Sequence, residues 1–507
     1  MHQSLLVLLL VLFTLANLFT SYLYLYPIIH NCSFPAQPAR STPDGDVDPQ
    51  VPPFRLLVLG DPQIEGDSPL LDPEHGFFPS LQTLWPAISS ASTTGERFEV
   101  TGTHLRDIFT SDVPRILQFY HKRLDLLGND FYLAHIYRTL HWTLFPTHVA
   151  VLGDLIGSQW VSDEEFERRG ARFWKRVFQR GTKVEDEISN GIGIEALSQD
   201  EELSKKWSRR VINVAGNHDV GYAGDITAEK MQRFERVFGK ANWETRFNLP
   251  IAAIDGKEVP ELRLIVLNSL NLDVPVLDTD VQTETYKFVN DIISASRQVE
   301  DRTSGTILLT HLPLHKEPGV CVDAPLFEYH DEKHGGGVKE QNHLSYDASK
   351  GILEGIFGMN GDRTSPRGGY GRKGIILTGH DHEGCDVFHQ LRRSGDVDYK
   401  WIAENMTEYT SAVHTAEVIP KIREITVRSM MGDFGGNAGL LSAWFDPDGL
   451  EWKFDYSTCA VGKQHIWWAI HILDIVTIVL LNYVGWSIFR GTKDGVGQDT
   501  MKEKKTQ

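Results

Sequence analysis

Five short hydrophobic runs in this chain each lead into residues able to bind a metal ion. Residues 54–60 lead into Asp61-Pro62-Gln63, and residues 148–153 into Asp154. Residues 211–215 lead into Gly216-Asn217-His218-Asp219, residues 306–310 into His311, and residues 374–378 into Gly379-His380-Asp381-His382. Alternate residues of an extended chain point the same way, so His380 and His382 can face one pocket. Ligands of α/β sheets gather where the carboxyl ends of strands converge. Strand-like runs alternate with helical ones and no internal repeat is visible, which predicts an α/β fold.

The donors Asp61, Asp154, Asn217, His311, His380 and His382, with Gln63 as a weaker addition, mix carboxylate, amide and imidazole. That mixture suits Mn²⁺, Zn²⁺ or iron and is no thiolate site. Manganese is the first expectation, with zinc or iron as alternatives. A shared carboxylate holds two ions about 3.5–4 Å apart, and such a pair clamps phosphate oxygens and activates water. Asp154 is the candidate bridge. His218 follows Asn217 directly and is expected to face the substrate, giving a hydrogen bond or proton to a leaving alkoxide. Asp219 is expected to orient His218. For His315, His334, His343 and His389 a pocket-lining or solvated place is favoured over ligation.

Residues 5–26 are almost wholly apolar, long enough to cross a hydrocarbon core of about 30 Å. A second apolar run covers 465–489, with Trp467, Trp468 and Trp486 near its ends. Asp474 inside it would be costly unless paired or near the interface. Arg490 and Lys493 follow this run, and Lys502, Lys504 and Lys505 lie in the tail. The positive side predicts cytoplasmic ends, 1–4 and 490–507. The body would then be lumenal: a linker at 27–53 and a catalytic domain at 54–456. The lysine-rich ending resembles a dilysine retrieval signal. The formal net charge of −18 argues against a nucleic-acid partner.

Four cysteines, Cys32, Cys321, Cys385 and Cys459, lack metal-site spacing. They read as one or two disulfides in a lumenal domain or as four free buried thiols. Asn31 and Asn405 head glycosylation sequons, with Asn405 the better placed. Residues 64–112 read as an insertion with a flexible loop at 89–94. Residues 113–144 read as helical, broken near Gly128-Asn129 and ended by Pro146. Residues 335–343 read as a loop, and 431–437 either shape the substrate mouth or form an ordinary turn.

The order GD, GD, GNHD, H, GHxH resembles the calcineurin-like metallophosphoesterases over about residues 54–385. The resemblance implies a four-layer αββα sandwich with a di-metal centre, here with a transmembrane helix at each end. It also implies that Asp61, Asp154 and His382 hold one ion, and Asp154, Asn217, His311 and His380 the other. The family usually opens Asp-x-His. This chain has Asp61-Pro62-Gln63, which puts the looser ion on the His382 side.

The Asp-Pro-Gln opening, residues 131–140 and 234–239, and Gly379-His380-Asp381-His382-Glu383-Gly384-Cys385 are similar to the Cdc1/Ted1-type GPI-anchor phosphodiesterases. That implies removal of an ethanolamine-phosphate branch from a mannose of GPI anchors. The setting implied is the endoplasmic-reticulum membrane, with cycling through the early Golgi. GPI lipid or GPI-anchored proteins would be the substrate, and ER–Golgi cargo and coat machinery the partners. The alternatives are an ER-membrane phosphoesterase acting on phosphoproteins or lipid head groups, and a non-catalytic cargo-sorting scaffold.

Overall fold

The computed structural model describes residues 2–503 apart from 39, 42–46, 49–50, 67–75, 192–193, 198–200, 250–257, 322–325, 395–397 and 407–419. The chain opens with an apolar helix α1 (His2–Ile29), strand β1 (Phe54–Leu59), and helices α2 (Pro79–Ser90), α3 (Thr94–Asp107) and α4 (Val113–Leu144). There follow β2 (His148–Val151), α5 (Asp163–Arg172), β3 (Thr182–Lys183), β4 (Ile194–Ala196), β5 (Arg210–Asn213), α6 (Asn217–Val220) and α7 (Ala228–Phe238). Next come β6 (Trp243–Asn248), β7 (Glu261–Leu267), α8 (Thr279–Ser294), β8 (Ser304–Thr310), the hairpin β9 (Phe327–Tyr329) and β10 (Val338–Gln341), and α9 (Tyr346–Gly351). The last part holds β11 (Lys373–Thr378), β12 (Cys385–Ser394), β13 (Asp398–Asn405), β14 (Lys421–Thr426), β15 (Asn437–Asp446), β16 (Glu451–Ala460) and a long helix α10 (Gln464–Glu503).

Two large sheets form, in the orders β16-β15-β1-β2-β5-β3 and β13-β12-β14-β11-β8-β7-β6-β4. Their centres are parallel: Leu57 pairs with Val149, and Ile307 with both Leu264 and Ile375. Strand alternation explains the layering. Phe54, Leu56 and Val58 meet Leu264, Val266, Ile307, Leu309, Ile375 and Leu377 in a core between the sheets. The intervening Leu57, Leu59, Ile265, Leu308 and Ile376 instead join helix residues such as Ile136, Phe166, Phe234 and Ile292. Each sheet is thus covered on both faces, which gives the expected αββα order. Each fully buried aliphatic side chain stabilises it by about 1.5–3 kcal/mol.

Three local expectations change. The segment read as a flexible loop at 89–94 is a tight connection between α2 and α3. Thr93 caps α3, accepting from the Glu96 amide while the Glu96 carboxylate accepts from the Thr93 amide. Second, α4 runs unbroken through Gly128. A Cβ there would lie 1.5 Å from the Trp468 ring, so the glycine serves close helix contact rather than a break. Third, half of 335–343 is strand β10, paired with β9.

Residues Ser4–Ile29 and Gln464–Arg490 form helices long and apolar enough to cross a membrane. They pack together, and the Thr20 hydroxyl lies 2.9 and 2.8 Å from the two carboxylate oxygens of Asp474. That contact gives the acidic side chain a polar partner within an apolar segment. Disulfides join Cys32 to Cys459 and Cys321 to Cys385, so none of the four cysteines is free. The last two lysines of the dilysine-like ending fall outside the described residues.

Candidate metal centre

Each candidate donor sits where a central strand ends. Asp61 follows β1, Asp154 follows β2, Asn217 opens α6, His311 follows β8, and His380 and His382 follow β11. Three of these turns bend through left-handed backbone, at Asp61 (φ 48), Gln63 (φ 41), Asp154 (φ 48) and His380 (φ 74). Such geometry costs about 1–3 kcal/mol per residue and clusters at functional sites. Small neighbours allow the loops to close. A Cβ on Gly153 would lie 2.3 Å from the His311 ring, and one on Gly216 would lie 2.0 Å from the Asp154 amide.

The loops are stitched to one another. The Gln63 amide donates to the Asp154 carbonyl at 2.8 Å, and the Ile64 amide to the Leu155 carbonyl at 3.1 Å. The Ser429 amide donates to the His382 carbonyl at 3.1 Å, and the Ser429 hydroxyl to the Asp61 carbonyl at 3.2 Å. Asp219 is fully buried and accepts from the amides of Leu155, Ile156 and Gly216 at 3.2, 3.0 and 2.9 Å. Its carboxylate therefore fixes two loops, and the expected contact with His218 is not among these bonds.

Two groups of donor atoms converge, Asp61 with Asp154 and His382, and Asp154 with His311 and His380; within each group the atoms lie within 4.8 Å of one another. His311 Nδ1 donates to the Leu152 carbonyl at 2.7 Å, which leaves Nε2 as the lone pair. That lone pair faces Asn217 Oδ1 at 2.9 Å and Asp154 Oδ1 at 3.4 Å. Three acceptors facing one another suit a cation between them. His380 Nε2 donates to the Gln341 carbonyl at 3.0 Å, leaving Nδ1 as its lone pair. Asp61 Oδ2 is buried with no hydrogen-bond partner, while Oδ1 accepts from the His380 amide at 3.0 Å. The residues present fit a pair of divalent cations.

The electrostatics agree with that fit. Burial, then the neighbouring Asp154, pushes the Asp61 carboxyl well above its usual range, and the same two causes raise Asp219. Burial also works to raise Asp154, but the facing His311, His218 and His380 outweigh it and hold it low. Burial and His311 push His380 down to about 3, and burial also lowers His311 and His382. Neutral imidazoles are the form that ligates metal.

Gln63 stands beside the first group, its side-chain nitrogen 3.2 Å from both Asp154 Oδ2 and His382 Nε2. The His218 backbone amide donates to Asp154 Oδ1 at 2.8 Å. Its half-exposed ring stands with Nε2 3.8 Å from Asp154 Oδ2. His315, His334, His343 and His389 lie outside both donor groups. Asn31 is exposed directly after α1, and Asn405 is half-buried at the end of β13; Thr407 of its sequon is outside the described residues.

The Gln341 carbonyl and Ser429 were not legible in the sequence, because backbone acceptors and loop ties leave no residue signature. Phe434, whose ring lies 4.9 Å from that of His382, falls in the glycine-rich stretch considered for the substrate mouth.

Comparison with known proteins follows this geometry. No family model matches the chain. Protein TED1 of Saccharomyces cerevisiae is 34% identical over 407 residues, spanning 71% of this chain and 77% of that protein. An uncharacterized protein of Schizosaccharomyces pombe is 28% identical over 71% of this chain and 81% of its own length. Metallophosphoesterase 1 of Danio rerio is 24% identical over 61% of this chain and 69% of its own length. By the extent of the first of these similarities, the chain belongs to the Ted1-type metallophosphoesterases.

Proposed function

We propose that this chain is a phosphodiesterase of the endoplasmic-reticulum membrane that hydrolyses an ethanolamine-phosphate branch from a mannose of GPI anchors. The observation that carries the reading is the convergence of donors into two groups with Asp154 in both. Asp61, Asp154 and His382, with Gln63 beside them, would hold one ion. Asp154, Asn217, His311 and His380 would hold the other. The ions, manganese or else zinc or iron, supply Lewis acidity and a nucleophilic water at neutral pH when bound.

The chain's own residues orient and move protons. The Leu152 and Gln341 carbonyls fix the His311 and His380 rings, each through one ring nitrogen. Asp219 holds the Asp154 and Asn217 loops in register through three amides. The half-exposed His218 ring, whose Nε2 lies 3.8 Å from Asp154, would protonate the leaving sugar oxygen.

Closeness to the membrane helices supports a lipid-anchored substrate. Phe434 touches His382, and Gly432 in the same turn lies so close to Gln464 that a Cβ would be 2.3 Å from its side-chain oxygen. One short turn therefore separates the centre from the first residue of α10. Tethering enzyme and substrate to one bilayer raises their effective concentration. The Cys32–Cys459 disulfide supports a lumenal body, since such bonds persist in oxidising compartments. With that orientation, residues 1–4 and 490–507 are cytoplasmic, and the lysine-rich tail is available to coat machinery.

The test is mass spectrometry of GPI glycans from cells lacking the protein and from cells carrying only Asp154→Ala. Both are expected to retain the extra ethanolamine phosphate. Normal glycans in both would sink the substrate assignment.

A further inference from the structure

The helices α2 and α3 bury none of their side chains. They nevertheless carry large apolar groups: Trp85 is 75% exposed, Phe98 77%, and Phe109, just beyond α3, 71%. Leu81 and Trp85 are one turn apart on α2, and Phe98 and Leu105 are two turns apart on α3. Leu117 and Leu124, two turns apart on α4, are 64% and 61% exposed. Large apolar groups exposed together on adjoining helices mark an interaction face.

The continuation of α4 says what covers it. At 3.6 residues per turn, Leu117, Leu124, Gly128 and His135 lie within about 40° of one another around the helix. The C-terminal half of this face rests on the apolar end helices. Gly128 abuts Trp468, Asn129 bonds Gln464, the Tyr132 hydroxyl reaches the Gly462 carbonyl at 2.5 Å, and the His135 ring lies 4.8 Å from that of Tyr24. Among the described residues, the N-terminal half of the same face has no such cover: Leu117 and Leu124 stay exposed. It continues along α4 from the Gly128–Trp468 contact, which lies at the start of α10, where a membrane-spanning helix would meet the interface.

Charge is consistent with that position. Between residues 77 and 128, Arg97, Arg106, Arg115, Lys122 and Arg123 offset Glu96, Glu99, Asp107, Asp112 and Asp125. The segment is formally neutral in a chain that carries −18, so an anionic lipid surface does not repel it.

We infer that residues 77–127 form an in-plane arm whose apolar face lies on the bilayer beside α1 and α10. The inference rests on α1 and α10 being membrane spans. The arm is tied to the metal centre: Lys122 on α4 pairs with Glu65 at 2.5 Å, two residues after Gln63. Docking of the arm therefore sets the height of the centre above the lipid.

All four native cysteines are paired, so an introduced cysteine carries a label alone. The full chain in lipid nanodiscs would carry a nitroxide at Trp85→Cys, Phe98→Cys or Leu117→Cys. Ile478→Cys in α10 serves as the lipid standard and Glu164→Cys on α5 as the water standard. Collision with oxygen against a water-soluble nickel chelate is expected to place the three arm labels about 5–10 Å below the headgroup boundary. Water-like values at all three, with Ile478 lipid-like, would overturn the arm and leave the spans standing. A water-like Ile478 would overturn the spans themselves and the arm with them. Spin–spin broadening that vanishes on dilution with unlabelled protein would assign the face to a second copy instead, and would also overturn the arm.

Discussion

Gln63 and His382 meet at 3.2 Å, side-chain nitrogen to imidazole Nε2, on the Asp61 side of the centre. A neutral amide stands there where an imidazole would bind metal more tightly. Gln63→His is therefore expected to raise metal affinity on that side by about tenfold or more. Metal content after stepwise chelator dialysis reads this directly. Equal loss of metal from both proteins would show that Gln63 does not set the affinity.

The half-exposed His218 ring acts on the leaving group in the proposed reaction. His218→Ala is expected to lower kcat by about 10²–10⁴-fold while metal content stays unchanged. The loss should shrink for an aryl phosphodiester, whose leaving oxygen needs no proton. A uniform loss across alkyl and aryl substrates would remove His218 from that role.

Glu424 anchors a buried network beside the His311 loop, accepting from Lys316 at 2.7 Å and bonded to His389. Burial works to raise its carboxyl, but Lys316 and His389 outweigh it and hold it down at about 2. The folded value lies below the unfolded one of about 4.3, so the network contributes about 3 kcal/mol above that pH. This stability is lost as pH falls from about 4.3 towards about 2. Glu424→Gln leaves Lys316 buried without its counter-charge, and is expected to cost about 3–5 kcal/mol near neutrality. Unfolding of the solubilised protein against pH should show the gap between the two proteins closing in acid. A gap independent of pH would count against the ionised network.

Gly128 lets α4 touch α10. Gly128→Val places new atoms against the Trp468 ring and is expected to destabilise the contact by about 1–3 kcal/mol. Trp468→Ala in the same chain should recover part of that loss. Additive losses in the double variant would show that the two residues do not meet.

The candidate donors could be read because they follow five hydrophobic strands, with His380 and His382 sharing one, and the structure brings Asp61, Asp154, His311, His380 and His382 into two groups. The layers were legible for the same reason, alternation in runs such as Phe54 to Leu59. What was not legible depended on distant partners. Gly128 reads as a helix breaker until Trp468 is seen beside it. The serine- and threonine-rich connection at 89–94 hides a cap whose partner, Glu96, lies just beyond it. The Gln341 carbonyl could belong to any residue type, and the pairing of four cysteines is fixed only by the folded chain.

The Cys32–Cys459 bond links positions 427 residues apart in sequence, just outside the two apolar helices. Everything between them is thereby a covalent ring with one long apolar helix outside each cysteine. One cut in the backbone of that ring would release no fragment: both pieces would stay joined through sulfur. Freeing the body would take two backbone cuts, one towards each end of the ring or one beyond each cysteine.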